Sequence, residues 1–167
     1  MRTADILTLY DYNYWANARV LRAAARLTAA QFTAPAGISQ GSLRGALVHA
    51  MSAEQIWRLR LQGALTANRF LPEEQFPDLA SLHAAWTQEE LEMRAYLGSL
   101  TDGSLERVIT YRATSGMAFS NRVWEILAQV VMHGVQTRSE AAVVLTGLDA
   151  SPAGLDLILF LRERPGL

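Results

Sequence analysis

The chain contains no cysteine. Disulfides, thiolate nucleophiles and thiolate metal ligands are thereby excluded, and the absence points away from secretion. It contains no lysine either, so every one of its 15 basic residues other than histidine is an arginine. Schiff-base and lysine-base chemistry are ruled out, and the arginine bias reads as GC-rich codon usage. No uninterrupted apolar run reaches the roughly 20 residues needed to cross a bilayer. The apolar stretch 130–132 is followed at once by His133, Gln136, Arg138 and Glu140. The first five residues turn polar quickly and carry no signal-peptide core, so a cytoplasmic protein is expected. There is no charge surplus, with a formal net charge of −1, and hence no long-range pull toward nucleic acid or anionic lipid. Low-complexity segments, internal repeats, a Gly-rich phosphate loop and a Ser–His–carboxylate arrangement are all missing. No stripe of arginine alternating with aromatics suggests a nucleic-acid surface.

What is present is apolar and helical. Half of the 167 residues are hydrophobic, enough to bury a core without staples, and the length fits one domain over 1–167. Ile6, Leu7, Leu9, Tyr10, Tyr14, Ala18, Leu21 and Ala25 recur at three- and four-residue steps, which predicts a first amphipathic helix over 3–26. Ser39 or Ser42 can cap a second over 43–61, stopped by Gly63. Asp78 caps a third over 79–100, stopped by Asp102-Gly103. The segment 105–119 reads differently. Val108, Ile109, Thr110 and Tyr111 favour strand and Ser115-Gly116 signals a turn, so a short hairpin or irregular lid is expected. Ser120 caps a fourth long helix over 121–146, and a short apolar helix follows over 155–162. Four helices of roughly 20 residues each span about 30 Å. Matched lengths of this kind predict an all-α four-helix bundle, with connections 1–2 and 3–4 long enough to cross over.

The chemistry-bearing candidates are few. His49 and His133 lie mid-way along helices 2 and 4 in apolar surroundings. Bundles build metal sites from such facing side chains, and neutral imidazole is the commonest protein ligand. The alternative is a buried histidine satisfied by a neighbour. Thr137 at i+4 and Glu140 at i+7 share the face of His133, within about 40° and 20° of it, and Gln136 is also in reach. Glu140 lies about 10 Å along the helix and would have to bend toward a shared ion. Glu54 falls about 140° around from His49, so it is expected to bond to a neighbouring helix instead. His83, in the first turn of helix 3, suits a surface or capping role. The four tryptophans suit packing between helices.

Four stretches carry a family likeness. They are Tyr10-Asp11-Tyr12-Asn13-Tyr14-Trp15-Ala16-Asn17; His49 with Glu54 and Trp57; His133-Gly134-Val135-Gln136-Thr137-Arg138-Ser139-Glu140; and Gly147 with Asp156-Leu157-Ile158-Leu159-Phe160-Leu161. In order and spacing the chain resembles the DinB family, the DinB/YfiT-like metalloenzymes, over essentially its whole length. The resemblance implies an up-down-down-up bundle, often a homodimer, with Zn²⁺ or Ni²⁺ on three histidines. One falls at His49 and the other two form an H-x-x-x-H pair on helix 4. It also implies thiol S-transferase or isomerase activity on small thiols such as bacillithiol. The family name reflects induction by DNA damage, which is regulation and not DNA binding.

One departure matters. His133 matches the first histidine of the helix-4 pair, but Thr137 occupies the second position. A neutral hydroxyl is a poor ligand for Zn²⁺ or Ni²⁺ beside the imidazole it replaces. The expected metal ligands are therefore His49 and His133, with Thr137, Gln136 and Glu140 as the residues that complete or line the site. Two functions stay open. One is a metal-dependent transferase, hydrolase or isomerase acting on a small thiol or another small molecule that enters near 105–119. The other is a metal-free small-ligand binder or dimeric stress-response scaffold.

Overall fold

The computed structural model describes residues 1–113 and 115–164. In chain order the elements are α1 (Thr3–Ala24), α2 (Ala29–Thr33), α3 (Leu43–Leu61), a single 3₁₀ turn (Glu73–Gln75), α4 (Leu79–Gly98), α5 (Asp102–Leu105), β1 (Val108–Arg112), β2 (Ala118–Arg122), α6 (Val123–Gly147) and α7 (Leu157–Glu163). The protein is thus mostly helical with one small antiparallel hairpin, and the all-α expectation is approximately right.

The helix ends follow from capping. The Ser42 side chain accepts from the Gly45 amide at 2.9 Å and opens α3, whereas Ser39 gives its hydroxyl to Glu140 instead. Asp78 accepts from the Ser81 amide at 2.8 Å and opens α4. Two short helices escaped the periodicity argument. Thr28 with Gln31 forms a capping box that starts α2, and Thr101 with Ser104 starts α5. Asp102-Gly103 therefore begins a helix instead of merely ending one. The start of the fourth long helix also differs from expectation. Ser120 and Asn121 belong to β2, where the Ser120 hydroxyl lies 2.8 Å from that of Thr110. The helix begins at Val123, with Glu125 accepting from the Arg122 amide at 2.9 Å. A favourable cross-strand hydroxyl pair has taken the serine that could have been a cap.

Among the four long helices, α1 packs on α6 and α4, and α3 packs on the same two. One end of the molecule collects Ile6, Tyr10 and Ala16 of α1, Leu61 of α3, Met93 and Leu97 of α4, and Val123 and Leu127 of α6. The other end collects Val20 and Leu21, Leu43 and Leu47, Leu82 and Trp86, and Ala141 and Leu145. Hence α1 and α6 run in one direction and α3 and α4 in the other.

Between the two apolar ends lies a buried polar belt. The Tyr14 hydroxyl donates to Glu54 at 2.5 Å, the neighbouring-helix bond anticipated for that carboxyl. Arg58 clamps Glu89 through two hydrogen bonds, at 2.6 and 2.7 Å. Arg138, only 2% exposed, donates to the side-chain oxygens of Asn13 and Asn17 at 2.5 and 2.7 Å. The buried stripe of α1 therefore includes two asparagines, while Ala18 and Ala25, counted as apolar positions, are exposed.

Gly134 makes room for this arginine. A Cβ there would stand 2.8 Å from both the Arg138 Nη1 and the Asn13 Oδ1. Overpacking of this kind costs about 1–3 kcal/mol, against about 1 kcal/mol of helix propensity gained on replacing glycine. Gly134→Ala is expected to lower the urea midpoint. Gly98→Ala, facing open space, is expected not to, and equal midpoints for the two variants would contradict the packing account.

Candidate functional site

Helix α3 carries His49 and α6 carries His133, and the antiparallel packing of these helices brings the two imidazoles together. Their ring centroids are 4.9 Å apart, edge to face at 68°. Phe70, from the segment between α3 and the 3₁₀ turn, lies flat on His49 at 4.7 Å and 13°. Phe70 had no signal in the sequence. It sits in a polar loop, and only the tertiary fold brings that loop over α3.

Both histidines are half-buried. Burial pulls the pKa of each below the ordinary 6.5; for His49 the neighbouring His133 adds to the effect and Glu140 partly opposes it. Both rings are therefore neutral at neutral pH, the form that donates a lone pair. The Nε2 of His133 is buried without a hydrogen-bond partner. A buried polar atom in that state usually marks an unseen partner.

The other predicted residues have partners or places of their own. Thr137 is buried, and its hydroxyl donates back to the His133 carbonyl at 3.0 Å. Glu140 accepts from both the amide and the hydroxyl of Ser39, at 3.2 and 2.5 Å, so its carboxylate caps the loop before α3. Gln136 is exposed. His83 is exposed too and lines an apolar groove between α1, α2 and α4. Trp86 is buried in the core. Trp57 is only partly buried, and it meets Tyr111 of β1 edge-on at 4.9 Å beside a cavity.

Does this set suit a divalent ion? Two imidazoles sharing one zinc at Zn–N distances of about 2.1 Å have ring centres roughly 5 Å apart, which matches the observed pair. The orphaned Nε2 also suits a ligand role. A third protein donor is missing: among the described residues no group of three or more His, Cys, Asp or Glu could hold a metal. The residues present therefore fit an ion held by two imidazoles with its other positions left to water or a bound molecule. They do not fit the closed three-histidine holding that the resemblance implies.

No helix of the described residues is long and apolar enough to cross a membrane. Compared with known proteins, a model of the DinB family matches residues 1–165. No curated protein matches the chain.

Proposed function

The chain belongs to the DinB family, and on that premise we propose that it is a divalent-metal-dependent enzyme of the thiol S-transferase kind with a reduced, two-imidazole centre at His49 and His133. The scaffold of this reading is a single up-down-down-up four-helix bundle, supported by the opposed directions of α1 with α6 and α3 with α4. A cytoplasmic homodimer acting on a small molecule, without nucleic acid or membrane as partner, belongs to the same reading.

The observation that carries it is the unpartnered, buried Nε2 of His133 beside a second neutral imidazole. A Zn²⁺ or Ni²⁺ ion bound there would lower the pKa of a coordinated thiol or water and supply a nucleophile at neutral pH. The protein's own part is positional. α3 and α6 fix the two rings, and Phe70 covers one face of His49 and limits its rotation. Metal content of protein purified without an affinity tag tests the reading. About one equivalent is expected in the wild type and a large loss in His49→Ala. Trace metal that is indifferent to the substitution would sink it.

Thr137 favours a second reading, a metal-free small-ligand binder or scaffold, because its hydroxyl is already engaged by a backbone carbonyl. That reading expects an unchanged melting temperature after chelation and after adding Zn²⁺ or Ni²⁺.

A further inference from the structure

One buried cation takes no part in the histidine pair. Arg60 on α3 is 5% exposed. Its Nε donates to the Ala67 carbonyl at 2.7 Å and its Nη2 to the Arg112 carbonyl at 3.0 Å. Its guanidinium lies 4.5 Å from the centre of the Trp57 ring and 5.0 Å from that of Tyr111. Among the described residues no carboxylate forms an ion pair with it. Burial pulls its pKa down, yet a guanidinium stays charged at any working pH. Carbonyls and ring faces soften the cost of burying it, but a charge held only by neutral dipoles is incompletely compensated.

This cation borders a cavity of about 360 Å³, walled by the flat side chains of Trp57, Phe70, Tyr111 and Phe119. That volume lies within the range of small-molecule sites, and no acidic residue lines it. The cavity adjoins the histidine pair. His49, Ala53, Ile56 and Arg60 stand at steps of four, three and four along one face of α3, and Phe70 both walls the cavity and lies on the His49 ring. The sequence hid this arrangement because its walls come from a helix, a loop and a hairpin far apart in the chain.

We propose that this cavity binds the flat, apolar body of a small organic anion and that Arg60 receives its carboxylate. The proposal deepens the functional reading above by naming the class of molecule bound, and it rests on that reading for any reaction at His49 and His133. Arg60 is then a binding residue as well as the tie between α3, the loop at Ala67 and the end of β1.

Calorimetric titration with naphthalene-1-carboxylate and with the uncharged naphthalene-1-carboxamide tests this, with chelator present so that metal plays no part. A charge-assisted hydrogen bond predicts that wild type prefers the acid by about 10-fold to 100-fold. With the metal chelated, the outcome does not depend on the metal analysis. Arg60→Met abolishes it, and Arg60→Lys keeps part of it. Equal affinity for acid and amide in the wild type, no binding of either, or a preference that survives Arg60→Met would overturn the proposal. The acid–amide comparison on the unmodified protein decides the matter even if Arg60→Met does not fold.

Discussion

Thr137→His is expected to tighten zinc or nickel binding at the histidine pair. Thr137 sits at i+4 from His133, so a histidine there would lie on the same helix face one turn along. Thr137 is buried, so the larger ring is expected to cost about 1–3 kcal/mol in the metal-free protein, which the melt without zinc measures. The Thr137 hydroxyl donates back to the carbonyl of its own helix, so no hydrogen bond to another helix is lost among the described residues. A third imidazole meets the usual need of Zn²⁺ for three protein ligands plus one open position. Suppose the gain is about 100-fold and zinc is supplied at the wild-type Kd. The ligand-linked stabilisation then rises from about 0.4 to about 2.7 kcal/mol, or roughly 5–10 °C in Tm for a chain of this length. Thermal melts of both proteins with and without zinc read this directly. Identical shifts would mean that α6 does not present position 137 to the histidine pair.

The second large effect concerns Glu54. Its carboxyl is fully buried in the polar belt, and burial pushes its pKa from 4.5 up to about 7. Tyr14 on α1 and Arg138 on α6 pull it down, while Glu89 on α4 pushes it up. An acid with a raised pKa keeps its proton longer when folded than when unfolded. The contribution of Glu54 to stability is therefore greatest below pH 4.5, falls as pH rises toward 7, and is level above that. The span corresponds to about 3 kcal/mol. Glu54→Gln keeps an oxygen for the Tyr14 hydroxyl and removes the titration. The variant is expected to gain on wild type steadily between pH 4.5 and 7. The histidine pair works in the opposite sense. Its lowered pKa values drain stability as pH falls below 6.5, but they do so equally in both proteins and cancel in the comparison. Urea midpoints from pH 4 to 8 provide the check, and parallel profiles would show that Glu54 does not titrate in the folded state.

Much of the architecture was legible because hydrophobic periodicity and caps act locally. Ser42 and Asp78 accept from amides of their own first turns, and the starts of α3 at Leu43 and α4 at Leu79 follow from them. What escaped depends on distant partners. Asn13 and Asn17 stand outside the apolar positions counted for the first helix, yet they are core residues because Arg138 reaches them from α6. Ser120 lost its capping role to Thr110 across the hairpin. The histidine pair was visible as a candidate, since two imidazoles lie mid-way along separate helices in apolar stretches, and the fold brings their rings together. Its surroundings were not, because Phe70 and Arg60 acquire meaning only when the loop and hairpin fold over α3.

The central claim is that His49 and His133 jointly hold one divalent ion. A crystal grown with zinc, and an anomalous difference map collected at the zinc edge, tests it most directly. The account predicts a single strong peak between the two rings, within bonding distance of about 2.1 Å from a nitrogen of each, with no protein atom of Thr137 in the coordination sphere. A map without a peak there, or with the His133 Nε2 hydrogen-bonded to another protein group instead, would contradict it.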